Sequence, residues 1–257
     1  MANKLKIVTF NIRCVYNAPV DGINSFIHRT GMIRDKIAKE KPDIVAFQEV
    51  TPEILSLLKT VMPEYSFHGH GRLRDLSGEG LYTAVRNDTV SVIGVESFWI
   101  GPEPNVPESR FTEAGQSVCP RICVTTTVKH EKSGKLLRVY NVHLDHIAAR
   151  VEGAKCVISA IKADSKKTDI PVVLLGDFND FPGSEPIRIC EKVLTDITKE
   201  FPLTWHDFGR RKGECKIDYI FVSEDLVSSA SRVSLWKDHA NGIWLSDHYP
   251  VCATLNI

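Results

Sequence analysis

Amide, carboxylate and imidazole side chains recur just past the ends of short apolar runs. Asn11 closes KIVTF, Glu49 follows IVAFQ, His143 follows RVYNV, and Asp177 and Asn179 follow VVLLG. Asp218 sits in KIDYIF, and Asp247 and His248 stand together in SDHYP ahead of the last apolar run. One acid at such a place is commonly a cap or turn residue, but several of them with two histidines exceed what capping requires. In layered α/β proteins such strand ends converge on one edge, where sites form. These residue types suit hydrolysis of a phosphate ester. A hard carboxylate such as Glu49 suits Mg²⁺, with Mn²⁺ as a substitute, because Mg²⁺ usually takes only one or two protein carboxylates. The ion neutralises charge on the phosphoryl oxygens, and Asp177 orients or deprotonates the attacking water. Imidazoles and an amide then stabilise the five-coordinate phosphorus. A histidine titrates near neutrality and needs an acidic neighbour to hold its useful form; Asp218 and Glu79, in SGEG, are available.

Each motif also has a plainer reading. In GDFN, Gly176 allows a tight turn and Asn179 can donate to a phosphate oxygen, yet an Asx-turn leaving a strand reads the same way. Glu49 can equally be an acid ahead of a helix that Thr51 caps. The elements that must position these residues follow from periodicity. Strands are expected over 5–10, 44–47, 81–85, 90–93, 122–128, 136–142, 172–175, 217–222 and 251–255. Helical spacing covers 29–39, 52–61, 148–163 and 184–193, the last with Pro186 in its first turn. Many strands with few helices imply an α/β layered protein with more than one sheet. The stretches 68–80 and 101–120 read as long loops, and loops of that length tend to be functional.

Thirty-two basic residues balance 32 acidic ones, so no global field gathers polyanions and any grip on phosphate is local. No repeats or linker-like boundary interrupt 1–257, which reads as a single domain. The N-terminus lacks a signal-like apolar run, no stretch reaches a membrane span, and no obligate protein partner is evident. Seven scattered cysteines without CxxC suit reduced thiols, and with them a cytoplasmic protein. Cys119 and Cys123 flank Pro120 as half a zinc site would, but no second Cys/His pair stands at ligand spacing.

In order, TFNIR, QEV, CPR, NVHLDH, GDFN, KIDYIF and SDHYP span nearly the whole chain. The set resembles the endonuclease/exonuclease/phosphatase superfamily. The resemblance implies a four-layer α/β sandwich, two mixed β-sheets packed face to face with helices outside. It also implies roles for particular residues. Glu49 looks like the principal Mg²⁺ ligand with Asn11 beside it, and Asp247 fits a second metal-side carboxylate. Asp177 looks like the water-activating carboxylate and Asn179 a ligand of the phosphate oxygens. His143 and His248 resemble the pair clamping the scissile phosphate, with Asp218 orienting His248. Glu79 resembles the acid that supports the first histidine in pancreatic-type DNases, and Arg121 their phosphate-facing arginine. Abasic-site endonucleases carry an acid where Arg13 stands, which argues against DNA repair. The chain also lacks the Trp-Cys-Asp-Arg signature of inositol polyphosphate 5-phosphatases. GHGRLRDLSGE, SFWIGPEP and TWHDF are most similar to a compact bacterial branch related to the deadenylases.

For the substrate, Arg72, Arg74, Arg110 and Arg121 lie in or beside the long loops and can form a phosphate clamp. Trp205, His206 and Phe208 can stack a base or gate the cleft. Trp99 and Trp236 read as core or rim, and His68, His70, His130 and His239 as exposed polar positions. The deadenylase-like motifs place a phosphodiesterase on short or single-stranded nucleic acid, or on nucleotide-like esters, slightly ahead of a phosphatase of sugar, lipid or inositol phosphates. Two rivals lie further off. Asn141-Val-His143-Leu-Asp145-His146 approaches the HxHxDH motif of metallo-β-lactamase-like zinc hydrolases, with Asn141 in place of the first histidine. A non-catalytic module that keeps the sandwich would have lost site residues, whereas every expected position is filled.

Overall fold

The structure, a computed structural model, describes residues 3–257. Its strands are β1 Lys4–Asn11, β2 Ile44–Val50, β3 Tyr65–Gly71, β4 Gly80–Arg86, β5 Val90–Trp99, β6 Ile122–His130 and β7 Leu136–His143. They continue with β8 Val172–Asp177, β9 Thr195–Asp196, β10 Asp218–Val222, β11 Ala230–Leu235, β12 His239–Ala240, β13 Ile243–Trp244 and β14 Val251–Asn256. The helices are α1 Ala18–Asp21, α2 Phe26–Glu40, α3 Pro52–Val61, α4 Arg150–Ser165, α5 Glu185–Glu191 and α6 Glu224–Val227.

Two six-stranded sheets form, in the orders β11-β14-β1-β2-β4-β3 and β5-β6-β7-β8-β10-β9. Each holds one parallel pair at its centre, β1 with β2 and β7 with β8, flanked by antiparallel strands. The period-2 alternation of each strand decides what goes where. Ile7, Ile44, Ala46, Val139, Val173, Leu175, Ile220 and Val251 point between the sheets and form the central core. Their neighbours Val8, Phe10, Val45 and Phe47 face outward onto Phe26, Ile33 and Ile37 of α2 and Ile54 and Leu58 of α3. On the other sheet Tyr140, Val142, Leu174, Tyr219 and Phe221 meet Ala154, Val157, Ile158 and Ile161 of α4 and Ile187 of α5. The result is the expected four-layer sandwich.

Three expectations change. The stretch 68–80 is not one loop: its first residues continue β3, which pairs with β4 from Tyr65↔Arg86 to Gly71↔Gly80 and leaves 72–79 as the connection. The polar, glycine-rich sequence YSFHGHG hides this edge strand. His68 and His70 are accordingly half-buried and His130 is buried, bonded to Ser133; only His239 of the four is exposed. Gly176 does not make a turn. It lies inside β8 at φ 144°, where an added Cβ would sit 1.9 Å from the Val142 carbonyl oxygen, so the close parallel pairing with β7 requires glycine. Among the described residues no helix is long and apolar enough to cross a membrane, and the seven cysteines form no disulfide.

Candidate active site

The inward parity that places Ile7, Val139, Val173 and Ile220 in the core also places Asn11, His143, Asp177 and Asp218 at one end of the space between the sheets. Register aligns three of them, with His143 opposite Asp177 and Asp177 opposite Asp218. Strict alternation would turn Glu49 toward the helices with Phe47. Instead the β2–β4 register slips between Phe47 and Val50, and Glu49 takes φ 62°. Such a bulge re-aims a side chain, and the backbone strain is a mark of functional positions. Glu49 thereby reaches Asn11, whose Nδ2 donates to Glu49 Oε1 at 3.1 Å and to Asp177 Oδ2 at 3.0 Å. The Cys14 amide donates to the other Glu49 oxygen at 2.9 Å.

Asp177 is the hub. Its Oδ1 accepts from the Asn179 amide at 2.8 Å, and its Oδ2 lies 3.6 Å from His143 Nε2 and 3.8 Å from His248 Nε2. The expected Asx-turn forms, with the Asp177 side chain accepting from the Asn179 amide and Asn179 at φ 51°, and the Asn179 side chain lines the cavity with Nδ2 donating to the Leu144 carbonyl at 3.0 Å. Asp218 Oδ2 lies 2.9 Å from His248 Nδ1, the spacing of a carboxylate that orients an imidazole.

Burial then sorts the charges. It opposes ionisation of Glu49, but the facing His143 and His248 imidazoles and the Cys14 and Asn11 donors bring that carboxyl down to about 2. Burial and the like charge of Asp218 raise Asp177 to about 7. Burial and Glu49 likewise raise Asp247. His143 is held well below its ordinary value by burial and by Arg121, so it is neutral at pH 7. Burial works against a charge on His248 as well, yet Asp218, Asp247 and Asp177 outweigh it and raise that imidazole well above its ordinary value. One imidazole is therefore neutral and the other charged.

Half-buried Glu49 and buried Asp177, Asp218 and Asp247 gather at one end of the space between the sheets. Carboxylate oxygens are hard ligands, and a cluster of them fits a divalent cation. Ligand atoms of Asp177, Asp218 and His248 lie within 4.8 Å of one another, but the Asp218–His248 hydrogen bond explains their closeness and occupies them. Glu49 and Asp247, which line the cavity, are the other carboxylates that could hold such an ion. Asn11 stands beside Glu49: its Oδ1 accepts from the Arg13 amide at 3.1 Å while its nitrogen faces the Glu49 and Asp177 carboxylates.

The cavity above this floor measures about 580 Å³. Arg72 and Arg121 are among the residues that line it. Arg121 is 5% exposed, lies 2.9 Å from His146 Nδ1 and 3.6 Å from Asp145, and its Nε has no hydrogen-bond partner. Glu79 does not reach His143 as its resemblance implied. It pairs with Arg72 at 2.9 Å, because both follow from the tight 72–79 connection. Arg74 and Arg110 are outside the clamp, the first beside Glu108 and the second bonded to the Ser117 carbonyl. A cavity of similar size, about 610 Å³, lies against α4 near Phe111 and Cys156. It has no imidazole, so chemistry rather than volume picks the site.

TWHDF has another job than stacking a base. His206 is 1% exposed, its ring stacked on Tyr249 with centroids 3.9 Å apart, and Phe208 is buried. Neither can touch a substrate; only Trp205 lines the cavity, with Arg211 4.2 Å over its ring. The segment is a brace. The His206 and Asp207 amides donate to the Asp247 carbonyl at 2.9 and 3.0 Å, and the Tyr249 amide to the Thr204 carbonyl at 2.7 Å. Thr204 Oγ1 accepts from the Ile217 and Asp218 amides, both at 3.0 Å. Thr204 thus ties Asp218 to the strand end carrying His248. Sequence reasoning also missed Arg29. It is fully buried on α2 and donates to the Asn24, Leu245 and Arg13 carbonyls at 2.7, 2.7 and 3.2 Å. Its signal was available: an arginine in the apolar stripe of Phe26, Ile33 and Ile37. Arg150, paired with Asp180 at 2.9 Å, and Cys119 line the cavity as well.

The zinc alternative fails on the same geometry. Asn141 lies between the sheets, bonded to Gln48 at 2.8 Å, and Asp145 accepts from the Ser117, Ile147 and Ala148 amides. Neither is placed to join a histidine metal site.

A family model described as Endonuclease/Exonuclease/phosphatase family matches residues 8–248. None of the curated proteins matches the chain. Among solved structures, an endonuclease/exonuclease/phosphatase from Bacteroides vulgatus is 29% identical with TM-score 0.88, covering 99% of each chain. A mannosyl-6-phosphatase from Bacteroides thetaiotaomicron is 25% identical with TM-score 0.85, covering 97% of this chain and 98% of that one. D. rerio TDP2, complexed with a single-strand DNA product, shares the fold at 19% identity and TM-score 0.76, covering 99% of this chain and 100% of its own.

Proposed function

The chain belongs to the endonuclease/exonuclease/phosphatase family and is a phosphoester hydrolase, and we propose that it uses Mg²⁺ to hydrolyse the phosphate monoester of a small hydroxylated molecule such as a sugar. The observation that carries this reading is that one cavity is lined both by the carboxylates Glu49, Asp177 and Asp247 and by the guanidinium groups of Arg72 and Arg121. A terminal phosphate carries more charge than a diester and benefits most from several cations around it. The mannosyl-6-phosphatase, similar over nearly its whole length, supports the same reading.

Glu49 would hold the ion, with Asp247 lining the same cavity. When bound, the ion neutralises charge on the phosphoryl oxygens and stabilises the leaving oxygen. Asp177, raised to about 7, is suited to accept a proton from the attacking water at neutral pH. Neutral His143 donates one hydrogen bond to the phosphoryl group and charged His248 supplies a second donor with charge. The remaining Asn179 hydrogen and the Arg121 guanidinium complete the cradle.

A second reading, cleavage of nucleotide-like or single-stranded nucleic acid diesters, rests on Trp205 at the cavity wall, since a base can stack on an indole. Rates on mannose 6-phosphate, p-nitrophenyl phosphate, bis-p-nitrophenyl phosphate and a labelled oligonucleotide, all with Mg²⁺, separate the two. The monoesters should turn over at least tenfold faster; preferential cleavage of the diesters would reverse the order.

A further inference from the structure

Arg13 stands beside the site and has no role so far. It follows β1 directly, at φ 62°, and its side chain turns into the cavity. Asp21 of α1, whose side chain is 1% exposed, fixes the guanidinium through two contacts, Nε to Oδ2 and Nη2 to Oδ1, both 3.2 Å. The backbone is held too, because buried Arg29 donates to the Arg13 carbonyl. The remaining guanidinium nitrogen, Nη1, lies 3.6 Å from Asp247 Oδ2, and the Ser246 hydroxyl donates to Asp247 Oδ1 at 3.1 Å. Asp247 lines the same cavity as Glu49, near enough for the two charges to act on one another. A guanidinium is charged at every working pH and cannot leave by deprotonation.

We propose that Arg13 is a permanent second cation of the site, which neutralises Asp247 and limits the cavity to a single divalent ion held at Glu49. The inference rests on the metal reading above. A second ion placed to use Asp247 would have to approach a fixed guanidinium at close range, and like charges at that distance in a buried site repel strongly. Arg13 is a positioning residue here: it sets the charge and orientation of Asp247.

The test counts ions. Metal-free protein is titrated with Mn²⁺, bound ion being read by electron paramagnetic resonance and by calorimetry, without substrate. The wild type should bind one ion per chain, and Arg13→Lys should keep that count. Arg13→Gln, with folding checked by its melting curve, should gain a second ion or bind the first at least tenfold more tightly. Two ions in the wild type overturn the proposal and leave the metal reading standing. No ion in the wild type defeats both. A folded Arg13→Gln with one ion and affinity within twofold of wild type removes the role of Arg13. The wild-type count decides the central point even if that variant does not fold.

Discussion

At the scale of single residues, the chemistry depends on two histidines of the same type being held in opposite states. His143 faces arginines and stays neutral, whereas His248 faces Asp218 and stays charged. Asp218→Asn removes the negative charge and leaves the volume, so kcat should fall on the order of 10²-fold or more, as for a lost positioned acid. A steady-state assay checks this, and a change under threefold would show that Asp218 does not set His248. Glu79 offers a contrast. Because it holds Arg72 and not His143, Glu79→Gln should raise KM by up to about tenfold with kcat nearly unchanged, the pattern of lost uniform binding. A kcat loss near that of Asp218→Asn would restore Glu79 to the histidine.

At the scale of elements, the strand ends converge because inward parity and the parallel pairs β1–β2 and β7–β8 deliver them to one edge. Much of that was legible: the apolar runs located nine strands, and period-2 spacing from Ile7 to Asn11 or from Val139 to His143 carries the face of the site residue with it. The Glu49 bulge was not, since a positive φ leaves no mark in a run such as IVAFQEV. Nor was the β3 edge strand, whose polar residues satisfy no core pattern, or the brace role of TWHDF, which depends on contacts with residues some 40 positions away in SDHYP. That brace makes a prediction about stability. Burial and nearby His248 lower the His206 imidazole to about 4. The unfolded chain then binds a proton that the folded one refuses, so stability falls as pH drops from ~6.5 toward 4, by up to ~1.4 kcal/mol per pH unit. Urea midpoints at pH 7 and pH 5 should differ less for His206→Phe than for wild type; an equal gap would mean His206 takes a proton in place. Gly176→Ala should fail to accumulate as folded protein, because its Cβ would meet the Val142 carbonyl.

At the scale of the whole molecule, equal numbers of acids and bases leave the grip on phosphate to a few buried groups. Turnover of a monoester should therefore change less than about threefold in kcat/KM between 50 and 200 mM salt, whereas a chain gripping many phosphates would lose about 10³-fold or more. The central claim is that a divalent ion at Glu49 and the Asp177–His143–His248 cluster together cleave a phosphate ester. It is tested most directly by phosphate release from one monoester, using chelator-stripped wild type and Glu49→Gln, each with and without added Mg²⁺. The account predicts no turnover in the stripped enzyme, recovery with Mg²⁺, and a loss on the order of 10²-fold or more in Glu49→Gln. Full turnover in chelator, recovery with zinc but not magnesium, or a Glu49→Gln rate within twofold of wild type would contradict it.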